Sequence, residues 1–468
     1  MIGWGGKSDK FNTSTMNSKT FCFLAIMTVL LSACSGNAYQ NVVPKDCVAL
    51  AAVDMKALAA DGGADEKRLA DMIHVGNMEN CGLDFSEPLF LFESRNGDFG
   101  CCVRVNDVDE LETWIGNDLT KSGKCKMRDK RKGFGFAEWN DSWLMGYSDT
   151  ALLLMGPVLP AAMAQLQQQM VKYLSQDEDK GMKESRLTEV MDTMRAPVKM
   201  VARMSALPPT ATIPFAFGVP KTAGENDVYL KAEMTKEGLA VVVEGETFSF
   251  KENVNKEIKQ AQQQFLPVGD KWMEAVSDSM VIAAFFNVEG DSFLQLIHTN
   301  KAMETVLTGA NLAIDMDKII RSMKGEVVMS YSPAKSTRKQ FALAAQLKDT
   351  EFLKDLDYWK SSCPKGTSIV DKGQNNYLFT GGEYEMFFGV VDGNLFIAGS
   401  SESEARALLN KATTPLLRET TNMMIGKRLA LCVNAKALAD TSDEKTDIFT
   451  SIINAIFGDT QQIVYYLK

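Results

Sequence analysis

An α+β fold is what this 468-residue sequence predicts: a duplicated module of antiparallel sheet with helices mainly on one face. Two observations carry the prediction. "FGCCVRVNDVDEL" (99–111) and "FALAAQLKDTEFL" (341–353) align without a gap and share Phe, Asp and Leu. Further on, "AEWNDSWLMGYSD" (137–149) corresponds to "FFGVVDGNLFIAGSS" (387–401). Both place a tight turn, Asn140-Asp141 or Asp392-Gly393, between two apolar strands.

The elements follow in order. Each copy opens on a buried-looking strand, in "DCVALAAVDMKAL" from Asp46 and in "DSMVIAAFFNVEG" from Asp278. "KRLALCVNAKAL" from Lys427 repeats the pattern. These strands end in Asp54, Asn287 and Asn434, side chains suited to capping the helix that follows. The next strand is "PLFLFES" or "GEVVMSYS", then a turn: "RNGD" in one copy, the longer "PAKSTRK" in the other. The strand of the aligned pair comes next, and a helix opened by Asp107 or Asp349. A further strand, a hairpin and a serine-started helix complete the copy. The first six elements have the βαββαβ order of a split βαβ, or ferredoxin-like, unit, and the hairpin is added to it.

The resulting boundaries are 44–158 for copy 1, 159–277 for a helical arm with a β-hairpin insert, and 278–412 for copy 2. Residues 413–468 read as a partial third repeat. The hairpin of the insert turns at Lys236-Glu237-Gly238. Two Gln-rich helices, Ala161 to Leu174 and Asn255 to Phe265, form the arm, pairing with each other or with another subunit.

The apolar run Phe21 to Leu31 is eleven residues, about 16 Å as a helix, against roughly 30 Å of hydrocarbon. It suits the hydrophobic region of a signal peptide rather than a membrane span. Lys19 precedes it, Ser32-Ala33 follows, and Leu31-Ser32-Ala33-Cys34 resembles the lipobox of bacterial lipoproteins. Residues 1–33 are therefore expected to be cleaved, with Met16 an alternative start. Cys34 becomes the lipidated N-terminus and 34–43 a tether. Multiple acyl chains, at about 0.8 kcal/mol per buried methylene, would hold it on a membrane.

The chain carries a net charge of −10, which argues against nucleic acid and against charge-driven binding to anionic lipid. Beyond Cys22 and Cys34 there are seven cysteines, an odd number, which is no disulfide framework. One bridge involving Cys81 and Cys125 stays open in an exported protein. With only His74 and His298, and no Cys-x-x-Cys, no metal or other cofactor is expected. Carboxylate pairs need no histidine: Glu383 with Glu385, Asp107 with Asp109, and Asp315 with Asp317 are the candidates. Exposed strand alternation explains the first pair, and helix starts explain the others. Phe134, Phe136, Trp139, Trp143 and Tyr147 crowd one hairpin. Core filling accounts for such a group, while an aromatic shelf at Trp139, Trp143 and Tyr147 is the candidate binding surface.

The lipobox, "NVVPKDCVALAAVDMKALA" and "GLDFSEPLFLF" together resemble the large envelope lipoproteins of Bacteroidetes grouped as a domain of unknown function. The resemblance implies an exported, lipid-anchored protein and brings no catalytic residues. Surface-exported lipoproteins of that phylum carry acidic residues after the cysteine, and "SGNAYQNVV" has none, which favours a periplasm-facing position over the cell surface. The expected function is non-enzymatic binding or scaffolding of an envelope protein or glycan, on the outer or inner membrane. The alternative is a carboxylate-dependent glycoside hydrolase or a glycan-capture lipoprotein.

Overall fold

The computed structural model describes residues 38–467, apart from stretches within 61–79, 208–225, 312–313, 333–339, 382–383 and 440–455. The signal segment, Cys34, His74, Glu383 and the loop "PAKSTRK" lie outside the described residues. Apolar stretches and tight turns organise the remainder into one sheet. Its first strands are β1 (Ala49–Val53), β2 (Leu83–Asp84), β3 (Leu89–Glu93), β4 (Phe99–Val105) and β5 (Cys125–Arg131). Next come β6 (Phe134–Trp139), β7 (Trp143–Tyr147), β8 (Ala151–Gly156), β9 (Val198–Arg203), β10 (Tyr229–Glu237) and β11 (Ala240–Phe248). The later strands begin with β12 (Ile282–Glu289), β13 (Met323–Ser332), β14 (Gln340–Leu347) and β15 (Thr367–Gly373). They end with β16 (Asn376–Gly381), β17 (Tyr384–Val391), β18 (Leu395–Gly399), β19 (Leu429–Asn434) and β20 (Gln462–Leu467).

Across the sheet the order is β5-β6-β7-β8-β4-β3-β1-β9-β10-β11, then β20-β19-β12-β13-β14-β18-β17-β16-β15. β2 adds a short pairing to β4. All neighbours are antiparallel except β11 and β20, where Val241 lies opposite Ile463 and Val243 opposite Tyr465. β5 pairs with β6 and β15 with β16, each on one side only, so the sheet is open. The lateral order β15-β16-β17-β18-β14-β13-β12-β19-β20 matches β5-β6-β7-β8-β4-β3-β1-β9-β10 strand for strand. The segment 413–468 supplies β19 and β20 to this same sheet.

Two expectations are corrected. A split βαβ unit places its fourth strand beside its first, but β1 lies between β3 and β9 while β5 sits at the sheet edge. The cause is local. Tight turns at Lys132-Gly133 and Asn140-Asp141, all with positive φ, zip β5, β6 and β7 into a meander and carry β5 outward. Helices also cover both faces rather than mainly one. Phe90, Phe92 and Leu153 pack with Leu166 and Met170 of the helix Met163–Leu174. The alternate residues Leu89 and Val103 pack with Met55 and Leu58 of the opposite layer. In the later half Phe286 and Val327 face Leu294 and Ile297, while Phe285 and Val328 face Ala405 and Met424. Strands apolar on both alternations require cover on both sides.

The Gln-rich helices do not pair with each other. Met163–Leu174 buries its apolar side on the sheet, whereas Val254 and Ile258 of Glu252–Gln262 join Val228 and Met204 in a separate cluster. Caps follow the sequence at most positions. Asp54 accepts from the Ala57 amide (2.9 Å) and Asn434 from Ala437 (2.8 Å). Asp107 accepts from Asp109 and Glu110 (2.9 and 3.0 Å), and Asp349 from Glu351 (3.1 Å). Asn287 departs from the expectation. It stays within β12 opposite Glu326, and the helix starts later, at Gly290. There an added Cβ would stand 2.1 Å from the Ile320 carbonyl oxygen, so only glycine admits the chain.

Val464 of β20 is fully buried where the two halves join. Val464→Asp should lower the urea midpoint of unfolding by an amount equivalent to at least ~3 kcal/mol, because a carboxylate there has no partner. A loss below ~1 kcal/mol would contradict the structural weight given to this strand.

Candidate functional site

The aromatic hairpin comes first. Trp139 and Trp143 lie directly opposite each other across β6 and β7, and Tyr147 lies opposite Gly135, so all three share one face. They do not form an open shelf. Tyr147 is buried over Gly135, whose added Cβ would meet the ring at 2.1 Å. Burial, with the Glu112 carboxylate nearby, pushes the pKa of its hydroxyl up to about 12. Trp139 is half-buried against the cluster of Leu111, Trp114 and Ile115, with its Nε1 enclosed and without a hydrogen-bond partner among the described residues. Trp143 is half-buried like Trp139, and stands edge-on to Phe99 with ring centroids 6.1 Å apart. Phe99 is itself 40% exposed.

The acidic candidates serve local structure. Asp107 and Asp315 are helix caps, and Asp315 accepts from the Lys318 amide at 3.0 Å. Asp317 accepts from Asn311 at 2.7 Å, and Glu385 lies on β17 opposite Thr380. His298 is partly exposed, 3.6 Å from Glu304 and 3.7 Å from Asp317. Glu304 in turn holds Lys221 at 2.9 Å, and that hydrogen bond lowers the glutamate's pKa. Among the described residues, no group of three or more His, Cys, Asp or Glu is arranged to hold a metal ion. Cys47, Cys101, Cys102, Cys125, Cys363 and Cys432 are free thiols, and Cys125 shares an apolar cluster with Cys81.

A cleft of 430 Å³ opens on the helical layer of the later half. Its walls carry Lys318, Arg321, Lys348 and Lys354 against Asp291, Asp349, Glu351 and Asp355, and buried Phe352 is part of the lining. The charges neutralise one another. Lys318 meets Asp355 at 2.5 Å, Lys348 meets Asp291 at 3.0 Å and Glu289 at 3.3 Å, and Arg321 meets Asp291 at 3.4 Å. Lys354 pairs with Glu351. The hydrogen bond from Lys348 holds Asp291 below the usual carboxylate range. Such exposed pairs contribute little stability individually, and they leave this cleft without an uncompensated charge to direct at a ligand.

One feature escaped the sequence reading because charge was weighed over the whole chain. Residues 121–132 hold Lys121, Lys124, Lys126, Arg128, Lys130, Arg131 and Lys132 against a single acid, Asp129. They form the outer edge of the sheet at β5.

A family model described as a domain of unknown function, DUF4836, matches residues 64–410. The chain belongs to that family. No curated protein matches it. Among solved structures it is similar to crystal form IV of TP0453, at 13% identity over 37% of this chain and 67% of that one, with a TM-score of 0.23. Crystal form III of the same protein gives 13% identity over 35% and 62%, with a TM-score of 0.24. Among the described residues, no helix of this DUF4836 protein is long and apolar enough to cross a membrane.

Burial pushes the thiols of Cys47, Cys125 and Cys432 up to about 12. A raised thiol pKa leaves stability intact below the unfolded-state value and removes it as pH rises from about 9 toward 12. The unfolding free energy from denaturant titration should therefore fall between pH 8 and pH 10, by on the order of 1 kcal/mol per buried thiol. Replacing Cys432 with Ala should remove one such share, and an unchanged pH dependence would show that this thiol ionises freely in the fold.

Proposed function

We propose that this chain is a lipid-anchored cell-envelope protein that acts by binding or scaffolding and not by catalysis. The observation that carries the proposal is Leu31-Ser32-Ala33-Cys34 closing an eleven-residue apolar run with Lys19 before it. The resemblance of the lipobox, residues 41–59 and residues 82–92 to envelope lipoproteins of Bacteroidetes supports the same assignment. The absence of acid in "SGNAYQNVV" supports a periplasm-facing position.

The repeated strand order supports descent of the two halves from one duplicated module, each half carrying its own surface. Duplication yields two frameworks of one topology whose exposed residues diverge, which suits a platform for partners. The exposed Phe99, with half-buried Trp143 edge-on beside it, is the aromatic contact proposed for an envelope protein or glycan.

Cys34→Ala decides the anchor. Metabolic labelling with a clickable fatty acid should mark the parent chain and lose that mark in the variant, which should also leave the membrane fraction. Unchanged labelling and fractionation would overturn the proposal.

A further inference from the structure

The densest run of like charge lies on one edge of the sheet. Residues 121–132 carry seven basic side chains and one acidic one within a chain of net charge −10. They form the approach to β5, the strand, and its turn into β6, and all but Lys124, Cys125 and Arg128 are exposed. Arg128 pairs with Glu138 at 2.5 Å and Lys130 with Glu112 at 2.6 Å. Lys121, Lys126, Arg131 and Lys132 meet no carboxylate among the described residues.

Charge on an edge strand also discourages edge-to-edge pairing, and a lysine or two suffices for that. The far edge of the same sheet provides the comparison. There β15 carries Lys372 and Asp371, ties Asp371 to Lys360 at 3.1 Å, and leaves Val370 45% exposed. Protection of an edge in this fold therefore needs no basic run.

The position of the edge matters as much as its charge. Tyr39 rests on β4, its carbonyl accepting from the Cys102 thiol at 3.3 Å and its hydroxyl donating to Pro88 at 2.9 Å. Pro88 lies at the Arg104 end of β4. The registers through β8, β7 and β6 place Arg131 and Lys132 at that same end. Four strand spacings separate β4 from β5, about 19 Å. Five residue steps lead from Cys34 to Tyr39, a reach of at most about 17 Å.

We infer that the basic β5 edge docks on the anionic headgroups of a membrane and so orients the sheet on the bilayer. This deepens the anchored assignment, from which it takes only the identity of the nearby surface. The charge of the remaining chain does not cancel the attraction, because screening confines it to about 8 Å at physiological salt. Lipid phosphates that touch the edge therefore feel Lys126, Arg131 and Lys132 rather than the average.

The test uses residues 34–468 with Cys34→Ser, which contain every described residue and carry no acyl group. The protein is floated with phosphatidylcholine vesicles, with or without one third phosphatidylglycerol. It should bind the anionic vesicles at low salt and leave them at about 0.5 M salt. The variant K126Q/R131Q/K132Q should lower that binding about 100-fold, whereas K365Q/K372Q on the far edge should not, with matched thermal melts confirming folding. Equal binding to neutral vesicles, an unaffected triple variant, or preference for a DNA duplex over the vesicles would each overturn the inference. Acyl labelling of Cys34 is read separately, so failure of the anchor and failure of the edge remain distinguishable.

Discussion

The pairing of β20 with β11 is the constraint on which the rest of the sheet depends. Without β20 the two matching strand sets would be separate sheets, with β11 and β19 each exposing an open edge. The strands are distant in sequence: Tyr466 donates to Glu244 across 222 positions. Closing a flexible loop of that length costs about 5 kcal/mol. Burying Val241 and Val464 completely, with Tyr465 nearly so, contributes roughly 1.5–3 kcal/mol for each side chain and offsets the closure. Lys236 adds a clasp, donating to the carbonyls of Phe457 and Asp459 just before the strand begins. The parallel direction follows from this arrangement. β20 must run against β19, its partner in the later half, and that leaves it parallel to β11.

Aromatic crowding on the β6–β7 hairpin has a packing cause that a sequence does not separate from ligand binding. Tyr147 covers Gly135, Phe136 covers Gly146, and Phe92 covers Gly100; in each case an added Cβ would strike the ring at 2.7 Å or less. A ring laid over a cross-strand glycine fills the missing side chain and pins the register of the pair. The residues therefore explain one another. Trp143 stands apart because it lies over the end of β8, at Gly156, and meets the accessible Phe99.

Local chemistry was legible in the sequence wherever a single residue decides a backbone conformation. Asn140-Asp141 and Asp392-Gly393 turn with positive φ as hairpin residues do, and Asp54, Asp107 and Asn434 cap the helices they precede. Asn287 shows the limit of that reasoning. Its side chain donates to Pro267 at 2.8 Å because strand pairing with β13 carries β12 past it. Strand order and the covering of both faces were not legible, since each depends on contacts between distant segments. The partner of β20 is such a case, and so is the displacement of β5 by the meander that follows it. At the candidate site, sequence alone placed Trp139, Trp143 and Tyr147 on one hairpin. It did not distinguish the buried tyrosine from the two half-buried tryptophans.

Charge shows the opposite failure, in which the information was local and averaging removed it. A balance of −10 describes the chain as a whole, yet electrostatic attraction decays within about 8 Å and is set by neighbours. In this sheet the edges β5 and β15 hold equivalent places in matching strand orders, so their topology imposes no difference between them. Their side chains do: one edge is a run of lysine and arginine, while the other is short of charge and partly apolar. A sheet that is nearly symmetric in its backbone and polarised in its edges has a defined orientation in any electric field it meets. The surface of an anionic bilayer is such a field, and it would select the β5 edge over the β15 edge without any difference in fold between the two halves.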